Sequence, residues 1–228
     1  MSKGKNDRNK KLFVSLFVWV IYILWILQVS SIKLNLTNFL LHLLFLGILV
    51  FIYRDDLKKD FKNFKKDGKK GIKSVLLYTL ILFGILLVSN VLITVISKLM
   101  GGEFAADSSS QLIGKLFHNT PFGTLFVMFL TIIFYSVVEE LVFRKSIRDN
   151  IKSPVLFVIV SSLITWYFQA TIFSPQLSEF VVSLSVLFNS IFASIVYVKK
   201  GNILYAIFPR MLYNLIICCV QLIPLLAR

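Results

Sequence analysis

The stretch Phe134-Tyr135-Ser136-Val137-Val138-Glu139-Glu140-Leu141-Val142-Phe143-Arg144 decides how this chain is read. It closes a long apolar run, residues 122–143, so two adjacent carboxylates fall within or just inside the inner edge of a membrane. An ionisable residue there is costly and is a functional-site hypothesis by default. On a helix Glu140 and Arg144 are four apart and share a face, so they can pair. Glu139 points about 100° away and needs a partner on a neighbouring helix. A helix end that snorkels its charges to the interface is the alternative reading.

The composition around this stretch is that of an integral membrane protein. The 228 residues are 57% hydrophobic with a mean hydropathy of +0.81. A soluble domain is about 45–50% apolar. The excess lies in blocks that approach the ~20 residues a bilayer-spanning helix needs. The first block, 12–32, follows a basic start like a signal peptide. It is too long and too aromatic for one and lacks a small-x-small cleavage site, so it reads as a retained helix.

The net charge of +14 invites a nucleic-acid reading, but the positions of the charges argue against it. Twenty of the 25 Lys and Arg residues fall in 1–11, 54–73, 144–153 and 199–200, on alternate connections. That is the pattern of cytoplasmic loops under the positive-inside rule, and anionic inner-leaflet lipids account for the basicity. Adjacent Cys218 and Cys219 read as small buried hydrophobes rather than a disulfide. No Cys/His spacing gives a zinc signature.

These observations predict an all-α, polytopic transmembrane bundle of about seven spans. Residues 1–11 form a disordered basic cytoplasmic tail. Residues 12–73 hold two transmembrane helices, 12–30 and 37–53, and a basic amphipathic inner segment, 54–73, that lies on anionic lipid through Leu57, Phe61 and Phe64. Residues 74–228 form the core, with helices over 74–100, 122–143, 154–173, 180–198 and 203–227 and an inner loop over 144–153. The N-terminus is expected in the cytoplasm, the C-terminus outside. The abundance of Lys, Ile and Phe suggests a bacterial cell membrane. His42 reads as a structural side chain within a span. His118 falls in an outer loop, 101–121, about 30 Å along a helix from Glu139. Thr165 and Gln169 give the fifth helix a polar stripe, Asn189 and Ser190 lie mid-span in the sixth, and Pro209 should kink the seventh.

Glu139-Glu140-x-x-x-Arg144, followed by two further polar spans, resembles the CPBP (or Abi) family of intramembrane endopeptidases, which includes CAAX-type proteases and bacteriocin-processing enzymes. The resemblance covers about residue 73 to the C-terminus. It implies a second motif, Phe-x-x-x-His, best matched by Thr165-Trp166-Tyr167-Phe168-Gln169. It also implies a third, His-x-x-x-Asn, matched by Arg210-Met211-Leu212-Tyr213-Asn214 after Gly201-Asn202-Ile203. In active members, the resemblance implies, a Glu and a His activate water, directly or through a metal, and the last motif stabilises an oxyanion. The site positions carried over are Glu139, Glu140, Arg144, Gln169, Arg210 and Asn214.

Both motif histidines are replaced. Gln169 accepts no proton at neutral pH, and Arg210 is neither a base nor a metal ligand, though it can donate to an oxyanion. The expectation is weak or no peptidase activity, no bound zinc, and a role as scaffold or binding partner for a membrane or cell-envelope protein. The alternatives are a glutamate-dependent intramembrane endopeptidase that processes peptides or bacteriocins, and a small transporter or immunity factor. Charge balance carries one further expectation. Arg210 inside a span requires an acid; Glu140 is within reach of Arg144, so Arg210 should pair with Glu139, with Asn214 completing the hydrogen bonds.

Overall fold

The computed structural model describes residues 2–28, 35–100, 121–173 and 177–226. Among these the fold is wholly helical: α1 (Ser2–Gln28), α2 (Leu36–Ile52), α3 (Arg54–Leu99), α4 (Pro121–Asn150), α5 (Pro154–Phe173), a short α6 (Leu177–Val182), α7 (Leu184–Lys200) and α8 (Leu204–Leu226). Five helices are long and apolar enough to cross a membrane, and α2 and α5 supply two shorter apolar segments. The 17 residues of α2 rise roughly 26 Å at 1.5 Å each, a little under the ~30 Å hydrocarbon core. This is a multi-pass membrane bundle.

Local chemistry sets the helix ends. The Asn35 side chain accepts the Asn38 N–H at 2.8 Å and caps α2, satisfying one of the orphan donors of a first turn. Gly201 ends α7 in the left-handed region (φ 61, ψ 20), where its N–H reaches the Tyr197 carbonyl at 2.9 Å; glycine adopts that conformation without a Cβ penalty. Pro154 opens α5 at a position where its missing N–H costs nothing. Gly68 (φ 49, ψ −124) interrupts α3 within the lysine-rich segment, shortly before the apolar span that begins near Ile72.

Several boundaries differ from the sequence reading. Helix α1 begins at Ser2 rather than near residue 12, so the basic start continues the first helix instead of forming a disordered tail. Lysine and arginine are good helix formers, and a hydropathy boundary does not stop backbone hydrogen bonding. Helix α4 runs to Asn150, and of the expected inner loop 144–153 only 151–153 remain non-helical. The sixth segment is broken at Ser183, between α6 and α7. Helix α8 is continuous across Pro209.

Helix α4 is the centre of the bundle. Its apolar window is 56% buried, against at most 28% in any other span. Two turns within it, Phe129–Phe134 and Glu140–Lys145, are widened π-helical turns, a feature that recurs at functional sites. One face of α4 packs on Val18 and Tyr22 of α1 and Phe45 and Leu49 of α2; Trp19 and Tyr22 both meet the Phe143 ring edge-on at 5.3 Å. A second cluster joins Ile147, Phe157, Tyr197, Ile203 and Ile207 at the basic end. Because lipid is as apolar as leucine, helix association relies on close packing and hydrogen bonds. Ser161 and Ser194 supply one such bond between α5 and α7 at 2.8 Å, and Thr79 donates to the Pro209 carbonyl at 3.3 Å between α3 and α8.

The basic connections converge on one end of the bundle. Lys145 pairs with Asp56 at 2.9 Å, Lys200 donates to Ser74, Asn202 to the Asp60 carbonyl at 2.8 Å, and Asn150 to Ser15 at 2.8 Å. The segment expected to rest on lipid also grips the protein: Leu57 joins both core clusters and Phe64 packs on Tyr205 and Phe208. His42 is fully buried and structural, its Nδ1 2.6 Å from the Asn38 carbonyl within its own helix and its ring edge-on to Trp25 and Phe134. Cys218 is buried as expected, whereas Cys219 is exposed on the outside of α8.

Candidate functional site

The expected site residues come from three helices that are distant in sequence. Glu139, Glu140 and Arg144 lie on α4, Gln169 on α5 and Arg210 and Asn214 on α8. Glu139, Glu140 and Arg144 are at most 2% exposed, so they do not snorkel to the interface. The extension of α4 explains this. Glu139 stands eleven residues before Asn150, roughly 16 Å along the helix at 1.5 Å per residue, and is deep in the bundle rather than at its edge.

That depth also brings Gln169 level with Glu139. Gln169 Nε2 donates to Glu139 Oε1 at 2.8 Å. The second oxygen of the same carboxylate, Oε2, faces Arg210 Nη2 at 2.5 Å. The expected pairing of Arg210 with Glu139 is therefore present, but it is only half of the arrangement. Arg210 Nη1 also donates to Glu140 Oε1 at 3.2 Å, so one guanidinium bridges both carboxylates. Glu140 Oε2 in turn faces Arg144 Nε at 3.4 Å, the i,i+4 pair read from the sequence. All four carboxylate oxygens thus lie close to a guanidinium or an amide, Glu139 Oε2 and Glu140 Oε2 through charge contacts without hydrogen-bond geometry.

The two glutamates reach one arginine although neighbours on a regular helix diverge by about 100°. The backbone at Glu139 (φ −64, ψ −39) and Glu140 (φ −67, ψ −38) is regular helix, so it is the reach of the two side chains and the fork of the guanidinium that let Arg210 contact both. Two glutamates and two arginines carry no net formal charge, which makes burial of the cluster tolerable where an isolated charge would not be.

A residue without an assigned role in the sequence reading completes the cluster. Arg144 Nη2 donates to Ser190 Oγ on α7 at 2.7 Å. A mid-span serine gives no signal of its own; only an arginine seeking acceptors on a facing helix could have pointed to it. Asn214 departs from its expected place. Its amide reaches the Thr131 carbonyl at 2.8 Å and Ser136 Oγ at 3.1 Å, tying α8 to α4 instead of completing the Arg210–Glu139 pair. Arg210 and Asn214 are one turn apart, yet each meets a different level of α4. His118 and the rest of 101–120 lie outside the described residues.

Beside the cluster is a cavity of about 100 Å³ whose wall includes Glu140, Arg144, Thr165, Asn189, Ser190 and Arg210. The Arg210 side chain is 27% exposed. Arg144 Nη1 and Asn189 Oδ1, on residues of that wall, are buried atoms with no hydrogen-bond partner among the described residues.

The donor set does not fit a zinc ion. Zinc takes Cys, His and carboxylate ligands, and the residues gathered here are two carboxylates, two guanidinium groups and an amide. A cation at the carboxylates would have to displace Arg210 from both.

Residues 121–216 match the family described as type II CAAX prenyl endopeptidase Rce1-like. The matched segment runs from the first residue of α4 into α8 and contains every residue of the charge cluster. The chain matches no curated protein and no solved structure.

Proposed function

From a chain whose residues 121–216 carry the type II CAAX prenyl endopeptidase Rce1-like pattern, we propose a multi-pass membrane protein that keeps this fold with little or no peptidase activity. It serves instead as a scaffold or binding partner for a membrane or cell-envelope protein. The observation that supports this reading is the state of Glu139. One of its oxygens accepts from Gln169 and the other faces Arg210. A general base must reach the proton it removes, and this carboxylate is engaged by one amide donor and one fixed cation. Gln169 and Arg210 occupy the positions where active members, by resemblance, carry histidine.

The setting proposed is a bacterial cell membrane, with the basic end of the bundle in the cytoplasm and anionic lipid around residues 54–73. Bacteriocin immunity is one role for such a scaffold. Partner capture decides between the readings. The full chain, cross-linked in its native membrane and purified, should retain a membrane or envelope partner that Glu139→Gln loses, with no cleaved fragment in either sample. The alternative, a glutamate-dependent intramembrane endopeptidase, is favoured by the partly exposed Arg210 on the cavity wall, which could donate to an oxyanion. A cleavage product that disappears in Glu139→Gln would establish that alternative. Elemental analysis is the companion measurement: stoichiometric zinc lost on changing Glu139 or Glu140 would overturn the inactive reading.

A further inference from the structure

The lysine-rich half of α3 has two faces with different partners. Leu57, Asp60, Phe64 and Asp67 recur at helical spacing, and they hold the bundle. Asp60 Oδ2 accepts the Ile203 N–H at 2.9 Å and its carbonyl accepts from Asn202 at 2.8 Å. Phe64 lies 5.2 Å from the Tyr205 ring, and Tyr205 Oη donates to Asp67 Oδ2 at 2.5 Å. The segment is thus clamped onto the first turns of α8. Tyr205 also lines the cavity beside the charge cluster and sits five residues before Arg210 on the same helix.

Among the described residues the opposite face is left open. Lys58, Phe61, Lys62 and Lys65 stand at i, i+3, i+4 and i+7, all exposed, with Phe61 58% exposed. A single large aromatic ringed by lysines is the pattern of a helix that lies in the headgroup region. The tethers place it there. Span α2 ends at Ile52, one residue before the segment begins, and the apolar part of α3 resumes near Ile72, so the segment leaves and re-enters the bilayer within about twenty residues.

We propose that the Lys58/Phe61/Lys62/Lys65 face docks on anionic lipid headgroups, and that the clamp through Asp60, Asp67 and Tyr205 transmits this docking to the cavity wall. The surface is defined by charge complementarity and by its attachment to two spans. The coupling deepens the reading above, since it makes lipid charge a regulator of the proposed partner site. Gly68 is where the clamp can move. Its backbone (φ 49, ψ −124) already leaves the helix immediately after Asp67, and beyond its own helix neighbours no described atom lies within 4 Å of where its Cβ would be.

The test uses the full chain in nanodiscs of pure phosphatidylcholine and of phosphatidylcholine with phosphatidylglycerol. A nitroxide is placed at Phe61→Cys in a chain that also carries Cys218→Ala and Cys219→Ala. Docking predicts a several-fold rise in the ratio of oxygen to nickel-complex collision rates in the anionic disc, abolished by the triple change Lys58→Gln/Lys62→Gln/Lys65→Gln and weakened by high salt. Unlabelled protein supplies an independent reading through a higher thermal midpoint in the anionic disc, lost in the triple variant. Equal values in the two discs, or a lipid response that survives the triple change, would overturn the docking surface. The clamp is read by hydrogen exchange over 204–213: anionic lipid should increase protection there in the parent chain and not in Tyr205→Phe. A change of equal size in Tyr205→Phe, or none in the parent, would overturn the coupling. No readout depends on proteolysis or on a captured partner, so failure here is distinct from failure of the scaffold reading and removes only the lipid setting given with it.

Discussion

Arg210 on α8 holds both Glu139 and Glu140 on α4, at 2.5 Å and 3.2 Å. One guanidinium joining two acids that adjoin in sequence makes α8 a clamp on the middle of α4. Its fork of donors suits such a bridge, and a lysine, with one compact charge, would not replace it. The fixed positive charge stands where the resemblance expects a histidine.

Removing one side of this cluster should be more damaging than removing both. Arg210→Ala strands the buried Glu139 carboxylate, at about 3–5 kcal/mol, and Glu139→Ala should cost less because Arg210 is 27% exposed and keeps Glu140. The double variant should recover part of that loss, with a coupling of about 0.5–3 kcal/mol. Because Arg210 also holds Glu140, recovery with Glu139→Ala should be incomplete. Unfolding midpoints in detergent measure this, and strictly additive losses would count against the bridge.

Ser190→Ala should destabilise the fold although it removes a single hydroxyl. It takes the acceptor from Arg144 Nη2, a buried charged donor, and leaving such a group unsatisfied costs about 1–3 kcal/mol or more. Ser194→Ala breaks only a neutral hydroxyl pair with Ser161 and should cost less, about 0.5–1.5 kcal/mol. Equal midpoints for the two variants would contradict the role given to Ser190.

Gly68→Ala should lower stability through the backbone alone. Space is available for the methyl group, but a non-glycine residue at this φ and ψ carries strain of about 1–3 kcal/mol. Gly47→Ala is the control: it lies within α2, also has open space, and should be neutral or slightly stabilising. A thermal scan of the pair separates strain from crowding.

The proposed topology, seven membrane crossings with the N-terminus in the cytoplasm, would put the C-terminus outside. A reporter fused after Arg228 should be active only on the external face, and one inserted near residue 66 only on the cytoplasmic face. Cytoplasmic activity of the C-terminal fusion would mean that one segment re-enters. The shorter α2 and α5 would be examined first.

The reach of the sequence is clearest at Arg210. Its need for an acid, and the absence of any counter-charge for Glu139 on α4 itself, follow from the cost of a charge in lipid and can be read from residue positions alone. The same holds for the helical class and the spans, because an apolar block approaching 20 residues has few ways to satisfy its backbone in a bilayer except as a helix. The lysine distribution likewise marked one end of the bundle before any contact was known.

What only the tertiary structure decided is which atoms meet. Residue counting put Glu139 near the edge of its span because hydropathy stops at the first charges, whereas the backbone of α4 continues to Asn150 around an arginine that carries its own partners inside. That shift of a few turns brought Gln169 to Glu139. The placement of α8 brought one guanidinium to both acids and Asn214 to Thr131, and the placement of α7 gave Ser190 to Arg144. Hydropathy is a property of each residue in turn. Hydrogen-bond partners depend on how far each helix is slid and rotated against its neighbours. One residue of slippage moves a side chain by about 1.5 Å and 100°, more than a hydrogen bond tolerates.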